Sequence, residues 1–268
     1  MRKCLSAFCF FITFIVLSSL SVLAAEDADD IVIDTSKVST GIVSVQYEKN
    51  LTKTVKVQIV KADNKYSYTI QNSNVTNLPL QMGTGTYKIS ILENVSGTTY
   101  KVLKAETFEV PVIDDKLVYT NSIQLASYTD SQIAVPELKA LVAAAGSDKE
   151  KVDMIYNYVI TNLTYDFDKL NNLPSDYVPV NDNTYANKKG ICYDFSSLFA
   201  STLRSMNIPT RLLMGYCTEV KEYHAWNQLL LDGQWVTMDT TYDSQARGYK
   251  MNYSQIKDSS QFTIVKQY

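Results

Sequence analysis

The chain has 268 residues and a formal net charge of −3. Nothing in this balance provides the basic face that nucleic-acid binding requires, so we expect no nucleic-acid partner. Two of the four cysteines, Cys4 and Cys9, lie in the first 25 residues, and the remaining two, Cys192 and Cys217, are too few for a scaffold held together by several disulfides. The length instead suits two domains of ordinary size.

Residues 1–25 have the pattern of a secretory leader. Met1-Arg2-Lys3 is basic, residues 4–23 carry no charge, and Ala24 and Ala25 supply small residues for cleavage. A retained membrane anchor is the alternative, because about twenty apolar residues can span a bilayer. We predict a signal peptide over residues 1–25, a secreted or cell-surface protein, and no membrane contact beyond the signal peptide.

Residues 26–128 alternate in the way that strands do. Val43, Val45 and Tyr47 show the period of two, and short runs of this kind are separated by turns rich in Gly, Asn and Asp. The pattern predicts an all-β sandwich of the immunoglobulin-like kind. This half contains no histidine or cysteine after the leader, so we interpret it as a spacer or binding module.

From residue 129 to residue 268 the periodicity becomes helical. Ser147 and Glu150 have the spacing of a capping box, and apolar residues then repeat at three and four positions up to Leu163. Residues 165–187 are rich in Asn, Asp and Pro and predict a long irregular loop, of the type that often serves as a binding loop or lid.

Cys192 opens the next predicted helix, whose apolar face ends before Pro209. In the first turn, unpaired backbone N–H groups and the helix dipole favour an anion such as a thiolate. The same N–H groups could stabilise an oxyanion. A purely structural cysteine would be expected on the buried face instead.

His224 is the only histidine of the chain, so any Cys–His mechanism must use it. Residues 224–231 and 234–241 read as strands around Asp232-Gly233, a strong hairpin signal. A two-residue turn places Trp226 opposite Asp239 and puts His224 and Asp239 diagonally on one face. A carboxylate there would orient the imidazole, as in a catalytic triad. A three-residue loop would put the two side chains on opposite faces.

Other residues offer alternatives to this site. Asp243 is a competing acid, ranked below Asp239 and expected in a turn or on a solvated face. Asp194, close to Cys192, is expected to be structural. Cys217 ends a strand near the predicted site, and it could be a buried small side chain, an unpaired thiol, or the partner of Cys192 in a disulfide.

A set of short motifs links the second half of the chain to a known family. These motifs are Lys189-Gly190-Ile191-Cys192, the end of the Cys192 helix at residues 203–211, Gly215-Tyr216, His224-Ala225-Trp226, Gly233-Gln234-Trp235-Val236 and Asp239-Thr240-Thr241. Through them, residues 137–242 resemble the transglutaminase-like superfamily, relatives of papain-type cysteine enzymes. The resemblance implies an α/β core in which Cys192 lies on a helix packed against an antiparallel sheet that carries His224 and Asp239. Thr241 stands at or next to a position where the family often has Pro before Thr.

This family forms an acyl-enzyme that either water or an amine resolves. We therefore expect a secreted cysteine peptidase or amidase that acts through Cys192, His224 and Asp239, with transglutaminase activity as the alternative. The third hypothesis is a non-catalytic cell-surface binding protein that retains the fold. The expected partner is a peptide or protein substrate, including cell-wall peptide. We expect no cofactor and no metal, since no acidic cluster suggests the calcium dependence of animal members.

Overall fold

The structure is a computed structural model that describes residues 30–111 and 114–268, so the signal peptide predicted at residues 1–25 lies outside the described residues. The strands of the N-terminal half are β1 (Ile31–Asp34), β2 (Ile42–Tyr47), β3 (Val55–Lys61), β4 (Asn64–Ile70), β5 (Thr76–Pro79), β6 (Gly85–Ser96) and β7 (Thr99–Val110).

These strands form two antiparallel sheets, with the orders β1-β2-β5 and β4-β3-β6-β7. Every second residue of a strand points into one shared hydrophobic cluster, as Val43, Val45 and Tyr47 do from β2. The described N-terminal residues are therefore β-rich, as predicted. The immunoglobulin-like class and the boundary between residues 128 and 129 stay predictions.

The second half mixes helices with a second antiparallel sheet. Its helices are α1 (Asp115–Val118), α2 (Ala134–Leu141), α3 (Asp148–Asn162), α4 (Phe167–Asn171), α5 (Asn181–Asn187), α6 (Cys192–Arg204) and α7 (Thr240–Gly248). Its strands are β8 (Thr164–Tyr165), β9 (Lys189–Gly190), β10 (Thr210–Cys217), β11 (His224–Leu231), β12 (Gln234–Met238) and β13 (Phe262–Gln267).

The main sheet of this half has the order β12-β11-β10-β13, and α6 packs against it. Ser147 caps the start of α3, because its hydroxyl accepts the Glu150 N–H at 3.2 Å. Its apolar face meets that of α6 in one hydrophobic cluster. The mixed α/β core with an antiparallel sheet and a cysteine-bearing helix is confirmed.

The prediction of an irregular loop over residues 165–187 is wrong in part. α4 and α5 both lie in this segment, and Asp166 caps α4 by accepting the Lys169 N–H at 2.9 Å. The segment is further held by Asn181, whose amide nitrogen donates to Ser201 of α6 at 2.8 Å. Short helices stabilised mainly by side-chain caps and by packing leave little periodicity in the sequence, which explains the difference.

The two halves are packed against each other. Tyr193 and Tyr268 are partly buried against the N-terminal cluster, and the Tyr268 ring meets the Tyr66 ring edge-on, with centroids 5.5 Å apart. Because Tyr193 lies on α6, the helix that carries Cys192 contacts the β-rich half directly.

Arg204, at the other end of α6, is fully buried and has no acidic partner among the described residues. Its guanidinium donates to the carbonyls of Thr210 (2.8 Å), Asn121 (3.1 Å) and Tyr268 (2.8 Å). Burial lowers the pKa of Arg204 to about 10, so the side chain stays charged near neutral pH. The Arg204 guanidinium thus connects three parts of the chain: the segment between the two halves, strand β10, and the residue after β13.

Within the described ranges 30–111 and 114–268, no helix has the length and apolarity that crossing a membrane would need.

Candidate active site

Cys192 lies in the first turn of α6, as predicted, and is half-exposed as a free thiol. Residues 194–204 of α6 are buried, so the helix is fixed while Cys192 at its start remains partly accessible. The preceding residue, Ile191, donates its N–H to Asp194 Oδ2 at 2.8 Å. The first turn of a helix has backbone N–H groups without intrahelical acceptors, and together with the helix dipole they favour negative charge at this end of α6.

Asp194 is fully buried and has a structural role, in agreement with the expectation. Besides the Ile191 N–H, it accepts hydrogen bonds from Lys169 Nζ at 2.6 Å and from the Tyr177 hydroxyl. Burial raises the pKa of Tyr177 well above its usual range, and Asp194 raises it further, so this hydroxyl is a donor. The lysine compensates a carboxylate that would otherwise oppose a thiolate at Cys192.

Gly190 is required by the close packing behind this carboxylate. A Cβ at residue 190 would lie 2.7 Å from Asp194 Cβ, which is closer than real side chains approach. Steric contact with Asp194 therefore explains why the Lys189-Gly190-Ile191-Cys192 motif has glycine at residue 190.

The hairpin that carries His224 has the predicted two-residue turn. Asp232 and Gly233 both have positive φ, at 50° and 79°, and Leu231 pairs with Gln234. This register is the one that puts His224 and Asp239 on the same face. His224 Nε2 lies 2.7 Å from Asp239 Oδ2, and both side chains are buried.

The second strand of the hairpin is shorter than predicted. It ends at Met238 rather than at Thr241, so Trp226 and Asp239 are not paired in the ladder. Asp239 begins α7 instead, because its Oδ1 accepts the Tyr242 N–H at 2.9 Å. One carboxylate therefore orients the imidazole and caps a helix.

The environment of His224 favours the imidazolium. Burial lowers the pKa of His224, but the Asp239 carboxylate and the Cys192 side chain outweigh burial and hold this pKa well above its ordinary value of 6.5. Since Nε2 faces Asp239, Nδ1 is the nitrogen left for the sulfur. The Trp226 ring is stacked on the imidazole with centroids 6.3 Å apart, which limits its rotation.

Tyr165 is a site residue that the sequence did not reveal. β8 pairs in parallel with β9, and this pairing sets Tyr165 beside Gly190. Burial raises the pKa of Tyr165 well above its usual range, and the nearby Cys192 side chain raises it further, so the hydroxyl keeps its proton. A phenol O–H thus lies near the Cys192 side chain. No feature of the sequence distinguishes Tyr165 from Tyr177 or Tyr185, which lie nearer to the cysteine motif along the chain.

A cavity of about 530 Å³ opens beside His224. Its walls come from the segment after β8, the connection between β10 and β11, and α7. The walls are largely aromatic and aliphatic, with charged groups at the β10–β11 connection. The residues that matter most for its character are Tyr165, Phe167, Leu170, Glu219, Glu222, Tyr242, Tyr249 and Met251.

Asp243, the competing acid, is buried and does not lie on a solvated face as expected. It accepts hydrogen bonds from Lys257 and from the Tyr156 hydroxyl, the latter at 2.6 Å, while its neighbour Asp239 contacts His224. Burial raises the pKa of Asp243 to about 6, although Lys257 and Tyr156 oppose that rise. The sequence predicts strand up to Thr241 and a turn or solvated face beyond it, whereas the structure has the helix α7 here, and this helix buries the carboxylate.

Cys217 ends β10 as predicted and is a half-exposed free thiol, so it is not bridged to Cys192 in this structure. One ligand atom each of Cys217, His224 and Asp239 lies within 4.8 Å of the other two. Burial raises the pKa of the Cys217 thiol.

Comparison with known proteins agrees with the motifs. The model of the Transglutaminase-like superfamily matches residues 138–240, whereas no curated protein matches the chain by sequence. A protein from Cytophaga hutchinsonii proposed to be a cysteine protease is 16% identical, with coverage of 75% of this chain and 74% of that one and a TM-score of 0.40. Legionella pneumophila LapG is 15% identical over 51% of this chain and 84% of its own, with a TM-score of 0.32.

Red sea bream transglutaminase is 12% identical, with coverage of 74% of this chain and 47% of the fish enzyme and a TM-score of 0.33. Because these TM-scores are all below 0.5, the assignment depends on the family match and on the motifs within it. Residues 138–240, fewer than half of the chain, match the model of the Transglutaminase-like superfamily, and this segment is therefore a transglutaminase-like domain.

Proposed function

We propose that the protein is a cysteine-dependent amide hydrolase, a peptidase or amidase, in which Cys192 is the nucleophile, His224 the acid–base group and Asp239 its orienting carboxylate. The observation that carries this proposal is the buried His224–Asp239 hydrogen bond of 2.7 Å beside a half-exposed thiol in the first turn of α6. A nucleophile, a base and an orienting group are the parts that acyl transfer requires.

The reaction follows from these positions. The Cys192 sulfur attacks the amide carbon, and the carbonyl electrons move onto oxygen. Donors near the sulfur, the Cys192 N–H and the Tyr165 hydroxyl, stabilise that oxyanion. His224 then gives its Nδ1 proton to the leaving amine, which departs and leaves a thioester.

Water completes the cycle. Neutral His224 takes a proton from water, whose oxygen attacks the thioester carbon, and the carboxylic acid leaves as the thiolate and the imidazolium are restored. Asp239 orients the ring and supports the imidazolium. A primary amine in the place of water would give transamidation from the same intermediate.

The cavity beside His224 supports a peptide or protein as the substrate. Its aromatic and aliphatic walls suit an apolar side chain next to the scissile amide, and the backbone of an extended peptide would continue along it. The leader pattern of residues 1–25 supports secretion, so we place the substrate outside the cell, with cell-wall peptides included.

The test is product analysis in water enriched in ¹⁸O, with a peptide library, cell-wall peptide fragments and a labelled primary amine. Wild type should release carboxylic acids that carry one ¹⁸O, and Cys192→Ala should release none. The matched control is Ser73→Ala, an exposed position in the N-terminal half. Amine incorporation without acid formation would replace hydrolysis by transamidation, and equal products from Cys192→Ala would refute catalysis at this cysteine.

Thiol reactivity separates the enzyme from a non-catalytic binding protein. Iodoacetamide should alkylate Cys192 at neutral pH faster than it alkylates a free cysteine, because His224 supports the thiolate. Alkylation at the rate of a free thiol would favour the binding protein.

A further inference from the structure

A second thiol lies beside the His224–Asp239 pair. Gly215 of β10 pairs with His224 of β11, so Cys217, two residues further along β10, points to the same face of the sheet. Asp239 follows β12 directly. Two neighbouring strands and the residue after a third thus present a thiol, an imidazole and a carboxylate, with one ligand atom of each within 4.8 Å of the others.

This set of donors matches the preferences of Zn²⁺. Zinc binds thiolate sulfur at about 2.3 Å and imidazole nitrogen or carboxylate oxygen at about 2.0–2.2 Å, and neighbouring ligands in a tetrahedron are then separated by roughly 3.3–3.7 Å. To reach these separations, the His224–Asp239 contact of 2.7 Å would lengthen. Any distance in the group that is close to the upper limit of 4.8 Å would shorten. Shifts of about 1 Å in side chains would be sufficient.

The surroundings support a three-ligand site with an open fourth position. Asp239 is held through its second oxygen by the Tyr242 N–H at 2.9 Å, and the Trp226 ring fixes the imidazole plane. Cys217 is half-exposed, and His224 lines the cavity of about 530 Å³, which gives an ion access from solvent and room for a water ligand.

We propose that Cys217, His224 and Asp239 bind Zn²⁺ or a similar thiophilic divalent cation, and that the bound ion inhibits catalysis. Zinc replaces the thiol proton of Cys217 and the Nε2 proton of His224, and both protons pass to water. The bound imidazole is then neutral, and the metal interrupts its contact with Asp239. Its remaining Nδ1 proton is far less acidic than that of the imidazolium, so protonation of the leaving amine is suppressed, and with Nε2 on the metal no nitrogen is free to take a proton from water. Binding itself does not depend on the proposed function, since it needs no substrate.

Cobalt(II) provides a direct test, because thiolate ligation gives a charge-transfer absorption band. All proteins carry Cys4→Ser and Cys9→Ser, so that Cys192 and Cys217 are the remaining thiols. On this background, Cys192→Ala should bind one Co²⁺ with the thiolate band, and Zn²⁺ should displace it. Cys217→Ser should lose the band and bind Zn²⁺ at least about tenfold more weakly.

The matched pair of cysteine variants decides the outcome. A band that persists in Cys217→Ser and disappears in Cys192→Ala would assign the ion to the nucleophile and overturn the proposal, as would the absence of the band from Cys192→Ala. Circular dichroism of each variant verifies the fold. Inhibition is measured with the proteins that keep Cys192, each compared with its own rate without zinc. The Zn²⁺ concentration that halves this rate should be about tenfold or more higher in Cys217→Ser than in the protein that keeps Cys217.

Discussion

The two tasks of Asp239 can be separated by comparing Asp239→Asn with Asp239→Ala. Oδ2 meets His224 Nε2 at 2.7 Å, and Oδ1 accepts the Tyr242 N–H at 2.9 Å. Asparagine keeps an oxygen for the helix cap, but its NH₂ group donates to Nε2 and forces the proton onto Nδ1. Alanine removes both interactions. Catalysis should therefore fail in both variants, whereas the start of α7 should be lost only in the alanine variant.

The magnitudes follow from the interactions removed. The wrong imidazole tautomer costs about 10⁴ in kcat in a triad, which is about 5.4 kcal/mol of transition-state stabilisation. For folding, alanine loses a cap of about 1 kcal/mol and leaves a buried imidazole without its partner at about 1–3 kcal/mol. Asp239→Ala should thus be less stable than Asp239→Asn by at least about 1 kcal/mol.

The assays are kcat on the best peptide and the free energy of unfolding in urea. Asp130→Asn, an exposed carboxylate, is the matched control and should change neither quantity. A kcat above a tenth of wild type in Asp239→Asn would refute the orienting role. Equal stability of the asparagine and alanine variants would refute the capping role.

The contact between His224 and Asp239 also makes the stability of the protein depend on pH. The folded pKa of His224 lies above its ordinary value of 6.5, because Asp239 and Cys192 outweigh burial. A raised folded pKa stabilises the protein fully below the unfolded pKa, and this contribution is lost as pH rises through the folded value. The difference in unfolding free energy between wild type and Asp239→Asn should be larger near pH 6 than at pH 9.

Three further changes test the surroundings of the site. Tyr165→Phe should lower kcat by about 10²–10³ with little change in KM, because it removes one oxyanion donor, and Tyr253→Phe should leave steady-state kinetics unchanged. Lys257→Met should destabilise the protein by about 3–5 kcal/mol in urea unfolding, because it isolates the buried Asp243, and adding Asp243→Asn should recover part of the loss. Gly190→Ala should cost about 1–3 kcal/mol and slow alkylation of the nucleophile, because a Cβ there overlaps the buried carboxylate behind it.

Specific results would contradict these three predictions. Unchanged kcat in Tyr165→Phe would show that the Tyr165 hydroxyl is not an oxyanion donor. A further loss of stability on adding Asp243→Asn to Lys257→Met would mean that the lysine does not compensate that carboxylate. A Gly190→Ala protein with wild-type stability would show that the packing at this turn is looser than the 2.7 Å approach implies.

The parts of the site that the sequence predicted depend on short-range geometry. The two-residue turn at Asp232-Gly233 sets the register of β11 and β12, and this register alone places His224 and Asp239 on one face. Cys192 was placed in a first turn because a helical period follows it. These features involve neighbours along the chain, which periodicity and turn chemistry describe well.

The parts that the sequence did not predict depend on distant contacts. Tyr165 reaches Cys192 through a parallel pairing of only two residues per strand, between segments more than twenty residues apart. Asp243 was expected in solvent, but Lys257 and Tyr156, which come from two other segments, bury and compensate it. The hydrophobic periodicity of a sequence does not show which distant segment supplies the partner of a buried charge.

Tyr193 has a consequence for the ancestry of the two halves. It follows the nucleophile in the chain, yet it packs against the hydrophobic cluster of the β-rich half. A recombination event that exchanged that half for an unrelated module would uncover this ring and change what holds the first turn of α6. The β-rich half and the cysteine-bearing half should therefore be inherited as one unit, and chimaeras between relatives should remain active only when the residue after the cysteine and its contact surface come from the same parent.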